Sequence, residues 1–381
     1  MDVHINGAGL MGGAIGYDLS NHGASRIVFV DANSETLQTA EEFVGTDTTE
    51  TAQVDISDRS EYVSFLEAET PDVVINALPH ELSVPALEGI IEAGIDAIDL
   101  AFEEEQWELA DAADAQDATM ITGCGVAPGI SNMLAGDGVV QLDDPTDITI
   151  KVGGIPAEPK PPLEYRVVFH LNSVWNAYTR PATIVEGGER VDVPALSGVE
   201  RIEFDDVGEL ECFYTDGLGT LPYTFEEVPN MAEKTIRYPG HALKAKTLRE
   251  CGLLDEDPID INGSAISPRE FLTELLTPEL YLGDDHDLTV LQVDVASDSR
   301  NPDEQYQATM IDRYDDELGM TSMARTTGFT ASIVAQRLVD GAIDDSGLIA
   351  PETLAENRSL FEDILTALER RDIEIDRSVT G

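Results

Sequence analysis

The sequence predicts an α/β protein with a doubly wound parallel sheet over residues 1–130, an inserted α+β domain with a mixed sheet over 131–320, and a C-terminal helical return over 321–381. Three observations lead there. Up to about residue 125, short β-rich runs alternate with amphipathic or capped segments, the signature of βαβ units. Beyond residue 130 that alternation stops, and strand-like runs follow one another with only occasional helical patterns. The length of 381 residues also exceeds the roughly 250 at which one core stops growing, so at least two domains are expected.

In the first region the predicted strands are Val3 to Ile5, Ile27 to Val30, Val54 to Ile56, Val73 to Asn76, Ala97 to Leu100 and Met120 to Thr122. The first helix follows from Met11, Ala14, Ile15 and Leu19 on one face, with Gly23 placed to end it. Ser83 ahead of Val84 and Pro85 marks another helix start, because proline is tolerated in a first turn. In the second region Ile148 to Gly153, Tyr165 to Leu171, Ala182 to Val185, Arg201 to Phe204 and Leu288 to Val295 read as strands. Helical patterns cover Ala242 to Arg249 and Pro268 to Leu276, then Ser322 to Val339 and a last helix around Glu352 to Arg370. The run of Pro156, Pro159, Pro161 and Pro162 reads as a stiff loop.

Composition excludes several function classes. Lys plus Arg number 22 against 75 Asp plus Glu, a formal net charge of −53, which phosphates would repel, so non-specific nucleic-acid binding is not expected. Hydrophobic residues make up 42% of the chain, so it is not a disordered acidic tail. Acidic residues dominate the helix surfaces and lysine occurs only at positions 151, 160, 234, 244 and 246. This pattern suits a high-salt interior, where a Debye length of about 3 Å at 1 M screens self-repulsion. Cys124, Cys212 and Cys251 form neither a disulfide framework nor a zinc motif, and a reduced cytoplasmic setting is expected. No metal site is expected, since Asp284, Asp285, His286 and Asp287 read as a solvated acidic loop. No apolar run approaches the roughly 18 residues of a membrane span, and the start of the chain has no signal-peptide pattern.

The strongest motif is Gly7-Ala8-Gly9-Leu10-Met11-Gly12, between the first predicted strand and helix. There Gly7 makes the tight turn, Gly9 admits a pyrophosphate, and Gly12 lets helix and strand pack closely. The helix N-terminus supplies free N–H groups and the positive dipole end. Asp31 ends the second strand, where a carboxylate accepts from ribose hydroxyls and repels a 2′-phosphate, which favours NAD over NADP. Ligands lie beyond the carboxyl ends of parallel strands, adding Asp55, Asn76, Ala77, Leu78, Pro79 and Asp99. In the second region the densest chemistry is the segment from Glu233 to His241, which holds Lys234, Arg237 and Tyr238.

With the Gly7 to Gly12 fingerprint, the Gly123 to Gly129 loop, the Lys234 to His241 segment and the Ser322 to Gly328 run, the sequence resembles the saccharopine dehydrogenase-like superfamily. Its Lys-Thr-Ile-Arg-Tyr-Pro-Gly-His wording is most similar to the lysine 6-dehydrogenase branch. The resemblance implies a Rossmann domain, a mixed-sheet substrate domain, NAD(P) dependence, a small amino-acid substrate and a homodimer or higher homo-oligomer. It further implies oxidation of a primary ε-amine, for which His241 is the candidate general base and Arg237 the clamp for the α-carboxylate. Tyr238 or Tyr165 would orient the amine and Asp99 would hold an ammonium group, with Lys234, Arg166 and His170 as further candidates. The competing readings are saccharopine dehydrogenase, a carboxynorspermidine-type reductive condensation and a non-catalytic dinucleotide sensor. The acidic surface generates its own expectation: the melting temperature rises between dilute buffer and molar KCl, and an unchanged value would contradict the high-salt reading.

Overall fold

In the computed structural model the chain is described at residues 1–168, 171–283, 285–297 and 304–380. It divides into two compact units: Met1–Val140 with Gly219–Thr224 and Ala324–Glu374, and Gln141–Leu218 with Phe225–Met323 and Ile375–Gly381.

The first unit is built on a seven-stranded sheet in the order Gly347–Ile349, Thr119–Ile121, Asp96–Asp99, Val73–Asn76, Asp2–Asn6, Arg26–Asp31, Thr49–Gln53. Every pairing is parallel. Val3, Ile5, Val73, Val74 and Ile75 are fully buried, as expected for central strands covered by helices on both faces. The order reverses at Asp2–Asn6: the next strand in sequence lies on one side and Val73–Asn76 on the other. Such a switch point opens a crevice at the carboxyl ends of the strands.

Within this unit the buried Asp18 carboxylate accepts a forked pair of bonds from Arg371, from Nε to Oδ1 at 2.6 Å and from Nη2 to Oδ2 at 2.9 Å. Ser332 donates to the same carboxylate at 2.5 Å. The first helix, Leu10–Asn21, is thereby fastened to the helix Ser322–Val339 and to the end of the helix Arg358–Glu369, across 353 residues of sequence.

The second unit carries a nine-stranded mixed sheet. Its main order is Glu200–Phe204, Gly208–Tyr214, Asn230–Arg237, Asp147–Pro156, Asp287–Ala296, Gln305–Arg313, Asp376–Thr380, and Ala182–Glu186 and Glu189–Val193 branch from Asn230–Arg237. Among the described residues of this sheet, the pairing of Asn230–Arg237 with Asp147–Pro156 is parallel and the others are antiparallel. Trp175, Tyr178, Tyr165, Phe213 and Leu280 form a buried cluster where helices Leu171–Thr179, His241–Glu250 and Pro268–Leu280 cover one sheet face. Among the described residues, no helix is long and apolar enough to cross a membrane.

Several predicted elements are corrected. The third strand is the polar Thr49–Gln53, an edge strand, while Val54 and Ile56 are buried core residues just beyond it. The helix expected from Ser83 begins at His80, which leaves Ser83 inside it and buried. Tyr165 to Leu171 is not a strand: Val167 makes one isolated bridge to Tyr281, and Leu171 opens a helix, with Phe169 and His170 outside the described residues. The last helix splits into the 3₁₀ turn Pro351–Glu356 and the helix Arg358–Glu369, which Asn357 caps.

Removing one partner of a buried ion pair leaves the other charge uncompensated, and burial protects the pair from salt screening. Asp18→Ala is therefore expected to cost about 3–5 kcal/mol in denaturant unfolding in molar KCl, and Asp18→Leu with Arg371→Met less. A cost near zero for Asp18→Ala would show that the fork does not hold the C-terminal helices.

Candidate active site

In the first unit the glycine loop follows from close approach. Gly7 has φ +85°, its N–H donates to the Val30 carbonyl at 2.8 Å, and a Cβ there would stand 2.6 Å from the Ala77 carbonyl oxygen. A Cβ on Gly12 would stand 1.9 Å from the Gly7 carbonyl oxygen. Gly9 differs, because a Cβ there would meet nothing within 4 Å. Gly9 is also the N-cap of Leu10–Asn21, and no side chain caps that helix. An uncapped helix N-terminus behind an open glycine fits a pyrophosphate. Asp31 is held for a ribose beside it: Oδ2 accepts from the Ala8 N–H at 3.0 Å and Oδ1 from the Asn33 N–H at 2.8 Å. Leu10 is exposed and Met11 half-buried at the head of the helix.

Asn76, Ala77, Leu78 and Pro79 form the turn that packs on Gly7, with the Ala77 N–H donating to the Asn6 carbonyl at 2.8 Å. Asp55 is exposed after the edge strand, and bonds from the Ser57 hydroxyl and N–H hold its carboxyl below the usual range.

Asp99 is buried and fully engaged. It accepts from Ser83 Oγ at 2.6 Å, Asn76 Nδ2 at 2.8 Å and the Ala101 N–H at 2.8 Å. Burial raises its pKa to about 6 against the pull of those donors. Gln106 Nε2 donates to Ser83 Oγ at 2.7 Å, and Thr122 bonds to Gln106 Oε1. Asp99 thus ties strand ends, helix and loop together, with its oxygens turned to the chain's own donors. Cys124 lies beside it, its thiol pushed up to about 12 by burial and then by the Asp99 charge, so it is an inert thiol.

His80 opens the helix right after the Pro79 turn. It is exposed, and its Nδ1 stands 2.5 Å from Glu103 Oε1. The Glu103 bond raises its pKa above histidine's ordinary value against the opposing effect of desolvation.

In the second unit the segment Glu233 to His241 ends a strand and opens a helix. Alternation along Asn230–Arg237 puts Glu233, Thr235 and Arg237 on one face and Lys234 and Ile236 on the other. Arg237 Nε donates to Tyr178 Oη at 3.1 Å, Nη1 donates to the Ile236 carbonyl at 2.8 Å, and the guanidinium lies 4.4 Å above the Tyr165 ring. Tyr178 Oη stands 2.8 Å from His241 Nε2, and His241 Nδ1 stands 2.8 Å from the Leu163 carbonyl oxygen. The carbonyl can only accept, so Nδ1 carries the proton and Nε2 accepts from the tyrosine. Burial, and then the Arg237 charge, hold His241 down to about 3. His241 is therefore neutral with both ring nitrogens engaged, which aligns Tyr178 under Arg237.

Glu233 is buried; Thr215 donates to it at 2.6 Å, and burial raises its pKa to about 8. Glu211 accepts from the Gly240 and Ala242 N–H groups at 2.9 and 2.8 Å, charging the start of the His241 helix.

The other predicted residues are spread more widely. Tyr238 Oη donates to the carbonyls of Pro156 at 3.0 Å and Ala157 at 3.1 Å. Lys234 Nζ donates to the Gly198 carbonyl at 3.2 Å, pairs with Glu200 at 3.2 Å and lies over the Tyr214 ring. Arg166 donates to the carbonyls of Lys160, Pro161 and Tyr165. The structure thus brings Arg237, Tyr165 and His241 together but sends Tyr238, Lys234 and Arg166 elsewhere. Of the acidic loop, Asp284 lies outside the described residues, and among those described no group of three His, Cys, Asp or Glu could hold a metal. Sequence reasoning missed Tyr178, Ser83, His80 and Glu211. A polar Ser83 on an otherwise apolar helix face was a usable signal, whereas nothing in the sequence links Tyr178 to His241, 63 residues apart.

Comparison with known proteins adds the family. Residues 3–121 match the model of the saccharopine dehydrogenase NADP binding domain, and residues 125–373 match that of the saccharopine dehydrogenase C-terminal domain. The mitochondrial alpha-aminoadipic semialdehyde synthase of Mus musculus is 23% identical over 359 residues, covering 75% of this chain. The chain spans 38% of the length of that relative. Apo saccharopine dehydrogenase (L-Glu forming) from Saccharomyces cerevisiae has a similar fold, with a TM-score of 0.82, 18% identity and full coverage of both chains. The homospermidine synthase of Legionella pneumophila, solved in complex with NAD, gives a TM-score of 0.69 at 12% identity, covering 100% of this chain and 91% of its own. Matched by both domain models, with the glycine loop, the parallel sheet and the mixed second sheet in place, the chain belongs to the saccharopine dehydrogenase family.

Proposed function

We propose that the chain is an NAD-dependent oxidoreductase acting on the CH–NH₂ bond of an amino acid, with L-lysine oxidised at its ε-carbon to 2-aminoadipate 6-semialdehyde and ammonia. The observation that carries the reading is Arg237. It is a buried guanidinium with no carboxylate paired to it among the described residues, and its Nη2 is left without a hydrogen bond there. The acid on its own strand face, Glu233, is pushed toward its neutral form by burial, against the pull of Thr215 and of the Arg237 charge. A buried cation without a counter-ion is costly, and an α-carboxylate supplies one in the geometry a guanidinium matches. Tyr178, held by His241, fixes the guanidinium from its inner side.

Asp31, beside the open Gly9, supports NAD over NADP, since a 2′-phosphate would meet its carboxylate. When bound, the nicotinamide supplies the hydride acceptor. The substrate must present a neutral amine, lose the hydride of its C–H bond and a proton from nitrogen, and then take up water as ammonia leaves the imine.

Oxidation of saccharopine, a secondary amine, is the second reading, and the two domain models favour it. Its additional carboxylates would need further cations. In the second unit Arg166 and Lys234 are already committed to carbonyls and to Glu200, which supports the smaller substrate.

The test offers L-lysine and saccharopine separately with NAD in molar KCl and assays NADH and ammonia. Equal amounts of NADH and ammonia from lysine are expected, with Arg237→Met raising KM at least about tenfold by loss of a charged hydrogen-bonding partner. NADH from saccharopine without ammonia would replace lysine by the secondary amine, and an unchanged KM in Arg237→Met would remove the carboxylate clamp.

A further inference from the structure

The proposed oxidation needs a group to take the amine proton, and His241 does not offer one: its Nδ1 is bonded to the Leu163 carbonyl, its Nε2 to Tyr178, and its pKa lies at about 3. Asp99 spends its oxygens on Ser83, Asn76 and Ala101, and Tyr238 donates to two carbonyls. In the first unit one histidine is arranged differently. His80 stands at the carboxyl-end edge of the parallel sheet, immediately after the Asn76 to Pro79 turn that packs on Gly7. Asp31 and Gly9 would hold the ribose and pyrophosphate of a dinucleotide, and its other half would then reach across the switch point toward the ends of Val73–Asn76 and Asp96–Asp99. His80 and Glu103 follow those two strand ends and face each other at 2.5 Å. The Nδ1 edge of the ring faces Glu103 and the side chain is exposed, so Nε2 is the nitrogen offered to a ligand.

We propose that His80, oriented by Glu103, is the acid–base residue beside the nicotinamide, accepting at Nε2 the proton released when the substrate amine is oxidised. The inference rests on the dinucleotide-dependent reading above. In that step the C–H bond breaks with its electron pair leaving as hydride to the oxidised dinucleotide, the nitrogen lone pair forms the C=N bond, and the N–H proton goes to His80. The products are a neutral imine, the reduced dinucleotide and an imidazolium balanced by Glu103. The charged groups that act on His80 are Glu103 from the loop after Asp96–Asp99, Asp99 from the strand end and Glu81 from its own helix, all acids. They favour the imidazolium, and Glu103 contributes most.

The arrangement has a consequence for binding, independent of turnover. Oxidised nicotinamide is a cation, so an imidazolium beside it weakens binding, and affinity rises as His80 loses its proton. The experiment titrates NAD and ADP-ribose, which lacks the nicotinamide, against the whole protein by calorimetry from about pH 6 to about pH 9, a range that spans a histidine raised above its usual value of about 6.5. It uses the lowest KCl concentration that keeps the chain folded. NAD affinity is expected to increase about fivefold with pH, at the low end of usual coupling between charged sites, while ADP-ribose affinity stays level. His80→Gln should abolish the increase, and Glu103→Gln should move its midpoint to lower pH. An equal pH dependence for ADP-ribose, an increase that survives His80→Gln, or a midpoint indifferent to Glu103→Gln would overturn the assignment. Absence of NAD binding at every pH would bring down the dinucleotide reading together with it, so the two failures are told apart.

Discussion

The buried carboxylate of Asp99 is the group on which the ligand edge of the first sheet depends. It sits where two strands end and collects a side-chain amide from one, a hydroxyl from the helix that follows, and an N–H from its own loop. Its backbone carbonyl also receives the Cys124 N–H at 2.8 Å, and Ser83 passes the network on to Gln106. A carboxylate so deep is costly unless its oxygens are satisfied. Satisfying them fixes the Asn76 to Pro79 turn, and through it the floor of the Gly7 loop. The same anchoring sets the two segments that carry His80 and Glu103. Asp99 therefore acts as a positioning residue whose effect is felt at groups it does not touch.

The second unit solves a comparable problem with a cation. Arg237, a tyrosine hydroxyl, an imidazole and a backbone carbonyl form one hydrogen-bonded series, in which each group is fixed by the next. Phe213 stacks parallel to His241 with 7° between the rings, and Tyr165 stands edge-on to the imidazole. Because the series ends at a carbonyl that can only accept, its direction is set and the histidine has one tautomer. The imidazole serves as a fixed acceptor that orients the Tyr178 hydroxyl beneath the Arg237 guanidinium.

Much of the first unit was legible because its determinants are local. The glycine spacing, the acid ending the second strand and the short continuous apolar runs are each set by near neighbours in sequence, and close approach at Gly7 and Gly12 accounts for the glycines. The edge strand Thr49–Gln53 was not legible, since its residues apart from Ala52 are polar and most are exposed, so the neighbouring apolar pair Val54 and Ile56 drew the strand prediction instead. Gly347–Ile349 is three residues long, and its identity as a strand comes from Thr119–Ile121, far away in sequence. In the site, residue type located the Arg237 to His241 segment but not its wiring. Whether a histidine is a base or a buried acceptor depends on Tyr178 and Leu163, which no spacing connects to it. The same limit hid His80, which among so many acids reads as an ordinary surface residue until the fold puts it opposite Glu103.

The most direct test of the account follows the hydrogen itself. L-Lysine deuterated at the ε-carbon is oxidised with NAD in molar KCl, and the reduced dinucleotide is examined by mass spectrometry. One deuterium per molecule is expected in the reduced nicotinamide, carbon-bound and retained in water. Reduced dinucleotide formed without deuterium would place the oxidised bond elsewhere in the substrate and contradict ε-amine oxidation.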